Sequence, residues 1–211
     1  MNLKYELQNV ISGISDPTAE NLIQAAAHYL RESQKAGGNI EKTKFTKEQE
    51  TERLTAWITD NNFWFTGHDE NRFIARGAEQ RVYLHTDEQF VYKLNDSIFY
   101  EYWLDYFHSL LIHNFFFPQT SYQLIGFYVE NNKLFAVVKQ PYISITQATD
   151  ISSIRQFLNE NGFHLKKNND YFNNDGCIIL EDLHDENVLT QNNVLFFIDT
   201  VFYLTKNFFE K

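Results

Sequence analysis

The hydrophobic period of this chain changes near Phe63, and that change limits the folds open to it. Upstream, apolar residues recur at helical spacing; downstream, they alternate in short runs broken by polar turns. Arg72 to Arg76, Arg81 to His85 and Gln89 to Leu94 read as antiparallel strands, the last two joined across Thr86-Asp87-Glu88. Asn95-Asp96-Ser97 then offers cap residues for a helix from Ile98 to His113. Two further strands, Tyr122 to Glu130 and Lys133 to Gln140, flank Asn131-Asn132. Strand, strand, strand, helix, strand, strand is an α+β order in which a five-stranded antiparallel sheet carries one helix.

Before Phe63, the apolar residues Leu7, Val10, Ile11, Leu22, Ile23, Ala26, Tyr29 and Leu30 predict helices interrupted at Ser15-Asp16-Pro17-Thr18. Asp16 followed by Pro17 is a helix start, with proline at the first helical position. A polar stretch from Arg31 to Lys47, containing Gly37-Gly38, reads as a linker. A third helix runs from Lys47 to Ile58 on a stripe of Leu54, Trp57 and Ile58. After Gln140-Pro141-Tyr142 the pattern gives a helix from Asp150 to Asn161, then an Asn-rich turn with Asn168, Asn169, Asn173 and Asn174. The apolar runs Cys177 to Leu180, Val188-Leu189 and Val194 to Ile198 follow, and the loop from Glu181 to Asn187 is dense in ionisable groups.

Composition removes several classes. The chain has 211 residues, 17% of them aromatic, with 8 Gly and 3 Pro, so it packs large rings and is not a low-complexity or disordered chain. Its net charge of −10 argues against general nucleic-acid binding, which needs clustered cations on phosphates. The lone Cys177 excludes an intramolecular disulfide framework and a Cys-rich zinc site, and makes a reducing cytoplasm the expected compartment. No apolar run approaches the ~18 residues of a membrane span, so no membrane partner is expected.

The chemistry concentrates in Asp182-Leu183-His184-Asp185-Glu186-Asn187 and in Phe197-Ile198-Asp199. Phosphoryl transfer needs a carboxylate that orients the acceptor hydroxyl and oxygen ligands that hold magnesium against ATP phosphates. An Asp and an Asn five residues apart, with a second Asp after the next strand, supply that set. Upstream, Gly77-Ala78-Glu79-Gln80-Arg81-Val82-Tyr83-Leu84 sits between two strands, where a loop could cover a nucleotide. Lys93, within Val91-Tyr92-Lys93-Leu94, has the strand setting of a phosphate-binding lysine. Glu101 and Asp105, four apart on the predicted helix, are both candidates to pair with it.

These motifs resemble the protein-kinase-like superfamily. Nearly the whole chain is similar to the small kinase-like proteins of the polyvalent-protein group, associated with mobile elements of Bacteroides-type bacteria. The likeness is carried by Gly77 to Tyr83, Ser109-Leu110-Leu111-Ile112-His113-Asn114, Gln140-Pro141, Glu181 to Leu189 and Phe197 to Val201. It implies a minimal kinase-like fold: a helical extension over 1–60, a five-stranded N-lobe with one helix over 61–143, and a truncated C-lobe over 144–211. It further implies ATP and Mg2+, Asp182 as catalytic base, Asn187 and Asp199 as metal ligands, and Lys93 as the phosphate-contacting lysine. The backbone from Gln140 to Tyr142 would bind adenine, and Gly77 would open the nucleotide loop. The implied reaction is transfer of the γ-phosphoryl group to a hydroxyl of a protein or small molecule.

This chain departs from the kinase pattern in several places. Gly77 is the one glycine of its loop, Glu181 stands where kinases have Arg, Thr200-Val201 replace Phe-Gly, and twelve residues follow Asp199. A catalytically degenerate interaction module is therefore the alternative reading. The Asp-x-His-x-x-Asn form of the loop, shared with aminoglycoside phosphotransferases, points instead to a small-molecule acceptor. For His113 and His184 the ordinary expectation is a hydrogen bond to nearby backbone. Cys177 reads as a small buried hydrophobe, the stripe Phe99, Tyr100, Trp103, Tyr106 and Phe107 as core, and Phe115-Phe116-Phe117-Pro118 as the buried exit of its helix.

Overall fold

The computed structural model describes residues 3–13, 21–36, 45–67, 69–77 and 80–210. The helix start expected at Asp16-Pro17, the Gly37-Gly38 linker and Ala78-Glu79 lie outside the described residues. The chain opens with three helices, α1 (Leu3–Ser12), α2 (Leu22–Ala36) and α3 (Lys47–Asn61). A capping box starts α3: Thr46 Oγ1 accepts the Gln49 amide, and the Gln49 side chain accepts the Thr46 amide at 2.9 Å. Asn62, in the left-handed region at φ 57°, ends it. Leu54 and Ile58 are buried as expected, each stabilising the fold by about 1.5–3 kcal/mol. Trp57 is half-buried, stacked on Tyr29 and tilted against Phe63. One turn before Leu54 on the same face, Glu50 is also buried.

The strands β1 (Phe73–Arg76), β2 (Gln80–Leu84), β3 (Phe90–Asn95), β4 (Gln123–Glu130) and β5 (Lys133–Pro141) form one antiparallel sheet in the order β1-β2-β3-β5-β4. Asn131 and Asn132 close the β4/β5 hairpin at φ 50° and 62°, positive values that asparagine tolerates and this turn requires. One sheet face packs Tyr83, Leu94, Phe135 and Val137 with Phe65, Tyr92, Ile125 and Tyr128. Phe63 and Phe65 run beside β4, exchanging backbone bonds with Phe127. They approach so closely that a Cβ on Gly126, at φ 152°, would lie 2.7 Å from the Phe63 carbonyl oxygen.

The helix α4 (Trp103–Phe116) starts five residues later than the cap residues suggest. Asn95 and Asp96 use their side chains to accept the amides of Ser97 and Ile98, and Ser97 turns left-handed at φ 54°. The result is a turn rather than a helix start. Ile98 and Phe99 are consequently exposed, against the expectation that Phe99 is core, while Tyr100, Trp103, Tyr106 and Phe107 are buried. The first helical amides, of Trp103 and Leu104, are capped by the Glu50 carboxylate. This cap is supplied from α3, so no local sequence marks the true start.

Two units divide the molecule. The first comprises Val10–Leu111 and Tyr122–Tyr142, and so contains the five-stranded sheet. The second comprises Met1–Asn9, Ile112–Ser121 and Ile143–Lys211. It holds the end of α4, then α5 (Ile151–Glu160), which Asp150 caps, and six strands: β6 (Phe163–Lys167), β7 (Asp170–Asn173), β8 (Ile178–Glu181), β9 (Val188–Gln191), β10 (Val194–Phe197) and β11 (Val201–Leu204). The short α6 (Lys206–Phe209) follows, and Lys4 of α1 bonds the Asn207 and Glu210 carbonyls. A four-stranded antiparallel sheet runs β11-β8-β7-β6, and β9 and β10 form a separate hairpin closed by Asn192-Asn193.

The stretch expected to be an Asn-rich turn is thus a hairpin, with Asn168 at its tip at φ 49°. Asn173 Oδ1 accepts the amides of Cys177 and Ile178 to turn the chain into β8. In the same unit Phe117 stacks on Phe197 with centroids 4.2 Å apart, and Phe116 stacks on Phe202. Among the described residues no helix is long and apolar enough to cross a membrane.

Candidate functional site

The loop between β8 and β9 is built on Leu183, which is buried and donates its amide to the Asn169 carbonyl at 3.3 Å. With Leu183 anchored inward, Asp182 before it adopts φ 58°, and its side chain is exposed. Asp tolerates this left-handed geometry better than most residues. Asn187 closes the loop by donating Nδ2 to the Asp182 carbonyl at 2.8 Å. Because a carbonyl only accepts, the amide must present its nitrogen there, and Oδ1 is turned away from that bond. The Asn187 backbone carbonyl in turn accepts the amides of Ile198 and Asp199 at 3.0 and 3.3 Å. Hydrogen bonds therefore run without a break from Asp182 through Asn187 to Asp199, residues 17 positions apart in the chain.

His184 lies inside this loop, as the ordinary expectation had it. Its Nδ1 accepts the Glu186 amide at 3.3 Å, and its Nε2 lies 3.2 Å from Asn187 Nδ2 and 3.6 Å from Asp182 Oδ1. Glu181, at the end of β8, is pushed above the ordinary carboxylate range by burial, reinforced by the charges of Asp170 and Asp182. Among the described residues no three His, Cys, Asp or Glu side chains gather as a metal cluster. The residues expected as ligands, Asn187 of this loop and Asp199 of the link between β10 and β11, offer an amide oxygen and a carboxylate, both hard oxygens. That set fits magnesium, which is ordinarily held by one or two protein carboxylates and completes its shell with water and substrate phosphate.

In the first unit, Lys93 sits in the middle of β3, paired across from Val82 of β2 and Val138 of β5. It is 4% exposed, and its ammonium lies 5.5 Å from the centre of the Tyr122 ring. Gly77 follows β1 and donates its amide to the Gln80 carbonyl. A Cβ there would meet nothing closer than 3.8 Å, so the local geometry does not itself demand glycine. Gly77 borders a cavity of about 270 Å³ with Arg76, Arg81, Glu130, Lys133 and Phe135. Two ion pairs line it, Arg81 with Glu130 and Lys133 with Asp96. Arg81 pairs with Leu94 while Val82 pairs with Lys93, so this cavity and Lys93 belong to opposite faces of the sheet.

Glu101 is exposed in the bend before α4, and Asp105 is half-buried in its first turn. The two do not share a helical face, which corrects the spacing argument that grouped them. Gln140 is buried in β5 opposite Val91, and Tyr142 is exposed with its amide bonded to the Gln89 carbonyl at 2.8 Å.

Glu50 escaped the sequence reading. Its carboxylate is buried, caps α4 and accepts from Gln34. The available signal was its position four residues before Leu54, on the apolar face of α3. His113 and Thr200 form a second buried polar pair, at 2.7 Å.

A family described as "Serine/Threonine/Tyrosine Kinase found in polyvalent proteins" matches residues 47–206. No curated protein and no solved structure matches the chain.

Proposed function

The chain belongs to this family of kinases found in polyvalent proteins, and from that membership we propose that it transfers the γ-phosphoryl group of ATP to a hydroxyl acceptor, with magnesium. The observation that carries the reading is the hydrogen-bonded run from Asp182 through Asn187 to Asp199. It joins, in one unit, a base candidate and two oxygen ligands.

In this reading the exposed Asp182 carboxylate orients the acceptor hydroxyl and takes its proton as the phosphorus–oxygen bond forms. Its reach into solvent suits an acceptor that arrives from outside. Asn187 Oδ1 and the Asp199 carboxylate would hold Mg2+, which neutralises charge on the ATP phosphates when bound. Lys93 contributes a buried cation to the phosphates, fixed in direction by its place in β3. Asp105 is favoured over Glu101 as its carboxylate partner, because Asp105 lies on α4 and Glu101 precedes it. The backbone of Gln140 to Tyr142 serves adenine, and Gly77 opens the nucleotide loop.

The lobes are proposed as 61–143 and 144–211, after a helical extension at 1–60; the family match begins within that extension, at the start of α3. The compartment is proposed to be the cytoplasm, in keeping with a buried free thiol at Cys177. The test is magnesium-dependent ATP binding and turnover in Asp199→Ala and Lys93→Ala. Each substitution should abolish turnover, and wild-type behaviour in both would defeat the proposal.

A further inference from the structure

One buried polar group in the second unit has no part in the chemistry above. His113, in the last turn of α4, is 0% exposed, yet both ring nitrogens are engaged. Nε2 meets the Thr120 backbone carbonyl at 2.9 Å, and Nδ1 meets Thr200 Oγ1 at 2.7 Å. The Thr120 carbonyl only accepts, so Nε2 carries the ring proton and Nδ1 accepts from the Thr200 hydroxyl. The backbone bond is the commonplace one; the bond to Thr200 is not, because it crosses 87 positions of sequence.

Thr200 is the residue after Asp199. On the other side of Asp199, the Phe197 carbonyl accepts from Thr120 Oγ1 at 2.5 Å, and the Phe197 ring lies flat on Phe117. A single stretch, 113–120, therefore grips the 197–200 segment on both sides of Asp199. The grip matters because 198–200 links β10, which ends at Phe197, to β11, which begins at Val201. These three residues belong to neither strand, so the bonds of the Ile198 and Asp199 amides to the Asn187 carbonyl, and these bonds at the ends of the link, contribute to the place of Asp199.

We propose that His113 is a positioning residue for Asp199, acting through the Thr200 hydroxyl to hold the carboxylate where it can serve a metal–nucleotide complex. The inference rests on the role given to Asp199 above. Partners that orient a metal ligand typically change metal affinity or activity by about 10–100-fold when lost.

Thr200→Val keeps the side-chain shape and removes the hydroxyl, whereas Thr200→Ser keeps the hydroxyl. His113→Gln keeps a donor for the Thr120 carbonyl and takes away the ring Nδ1 that accepts from Thr200. Two quantities are read: amide hydrogen exchange of the 197–201 segment without nucleotide, and the affinity for Mn2+–ATP by calorimetry. In Thr200→Val, exchange at Ile198 and Asp199 should quicken, and affinity should fall roughly 10–100-fold. Thr200→Ser should restore both, and His113→Gln added to Thr200→Val should change little more. Wild-type exchange and affinity in Thr200→Val, or additive losses in the double variant, would overturn the inference. Asp199→Ala separates the two claims. If it binds Mn2+–ATP like the wild type, the metal role of Asp199 fails, and so does the positioning claim built on it. If it loses binding while Thr200→Val keeps it, the positioning claim alone fails.

Discussion

Replacing Glu50 by Gln isolates a single buried charge. The Glu50 side chain is 0% exposed; Oε2 accepts the Trp103 and Leu104 amides at 2.6 and 3.3 Å, and Oε1 accepts from Gln34 at 3.1 Å. Burial pushes its pKa from 4.5 up to about 7; the amide bonds and Gln34 oppose the rise, and Asp105 adds to it. The folded state therefore holds a proton that the unfolded chain releases near 4.5. The stability this proton confers is complete below 4.5 and is lost as pH rises through about 7. At 1.36 kcal/mol per pKa unit the loss amounts to about 3 kcal/mol. Gln keeps an acceptor for both amides and does not titrate, and Gln34 can rotate its amide to face it. Trp57, Trp64 and Trp103 all lie in the first unit, so tryptophan fluorescence in urea follows that unit. With a urea slope of roughly 1–3 kcal/mol/M, the wild-type midpoint should fall by about 1–3 M relative to Glu50→Gln between pH 5 and pH 8. Parallel pH profiles for the two proteins would refute the argument. Glu50→Ala, which strands two helix-start amides, should be less stable than Glu50→Gln at every pH by about 1–3 kcal/mol.

Asp182→Asn should lower turnover by about 10²–10⁴ while leaving Mn2+–ATP affinity near wild type, since the loop bond uses the Asp182 backbone and not its side chain; an equal loss in both quantities would contradict that division. Gly126→Ala should destabilise the first unit by about 1–3 kcal/mol, because φ 152° and a 2.7 Å approach to the Phe63 carbonyl leave no room for a Cβ. Tryptophan fluorescence in urea reads that loss, and an unchanged midpoint would show that the 63–65 segment can move aside.

The five-stranded sheet was legible because its strands are short apolar runs set between polar turns that carry their own chemistry, as at Asn131-Asn132. The β6/β7 hairpin was hidden for the complementary reason. Four of the five β6 residues are exposed, and only Phe163 and Leu165 in it are apolar, too few to mark the strand. The asparagines that read as one turn are divided between a hairpin tip at Asn168 and a side-chain bracket at Asn173. The start of α4 misled for a third reason: Asn95 and Asp96 bond their neighbours' amides in a turn as readily as in a helix cap. The true cap came from Glu50, 53 residues earlier.

The same contrast governs the candidate site. Asp182, Asn187 and Asp199 stand out in sequence because their oxygen chemistry sits at fixed, short separations, and the loop bonds that join them are local or nearly so. Sequence placed Lys93 on a strand, as β3 has it, but could not separate Glu101 from Asp105, since that depends on where α4 begins. What holds the site is less visible still. His113 lies in an apolar run, Leu110-Leu111-Ile112-His113-Asn114-Phe115, where spacing alone suggests a core histidine. Only the fold reveals that the residue closing its second hydrogen bond is Thr200. A reacting group is advertised by its chemistry, whereas a positioning group is defined by a distance, and distances across 87 residues are set by every turn between them. Substitutions at His113 and Thr200 are therefore a sharper test of this structure than substitutions at Asp182 or Asp199, which the sequence already singled out.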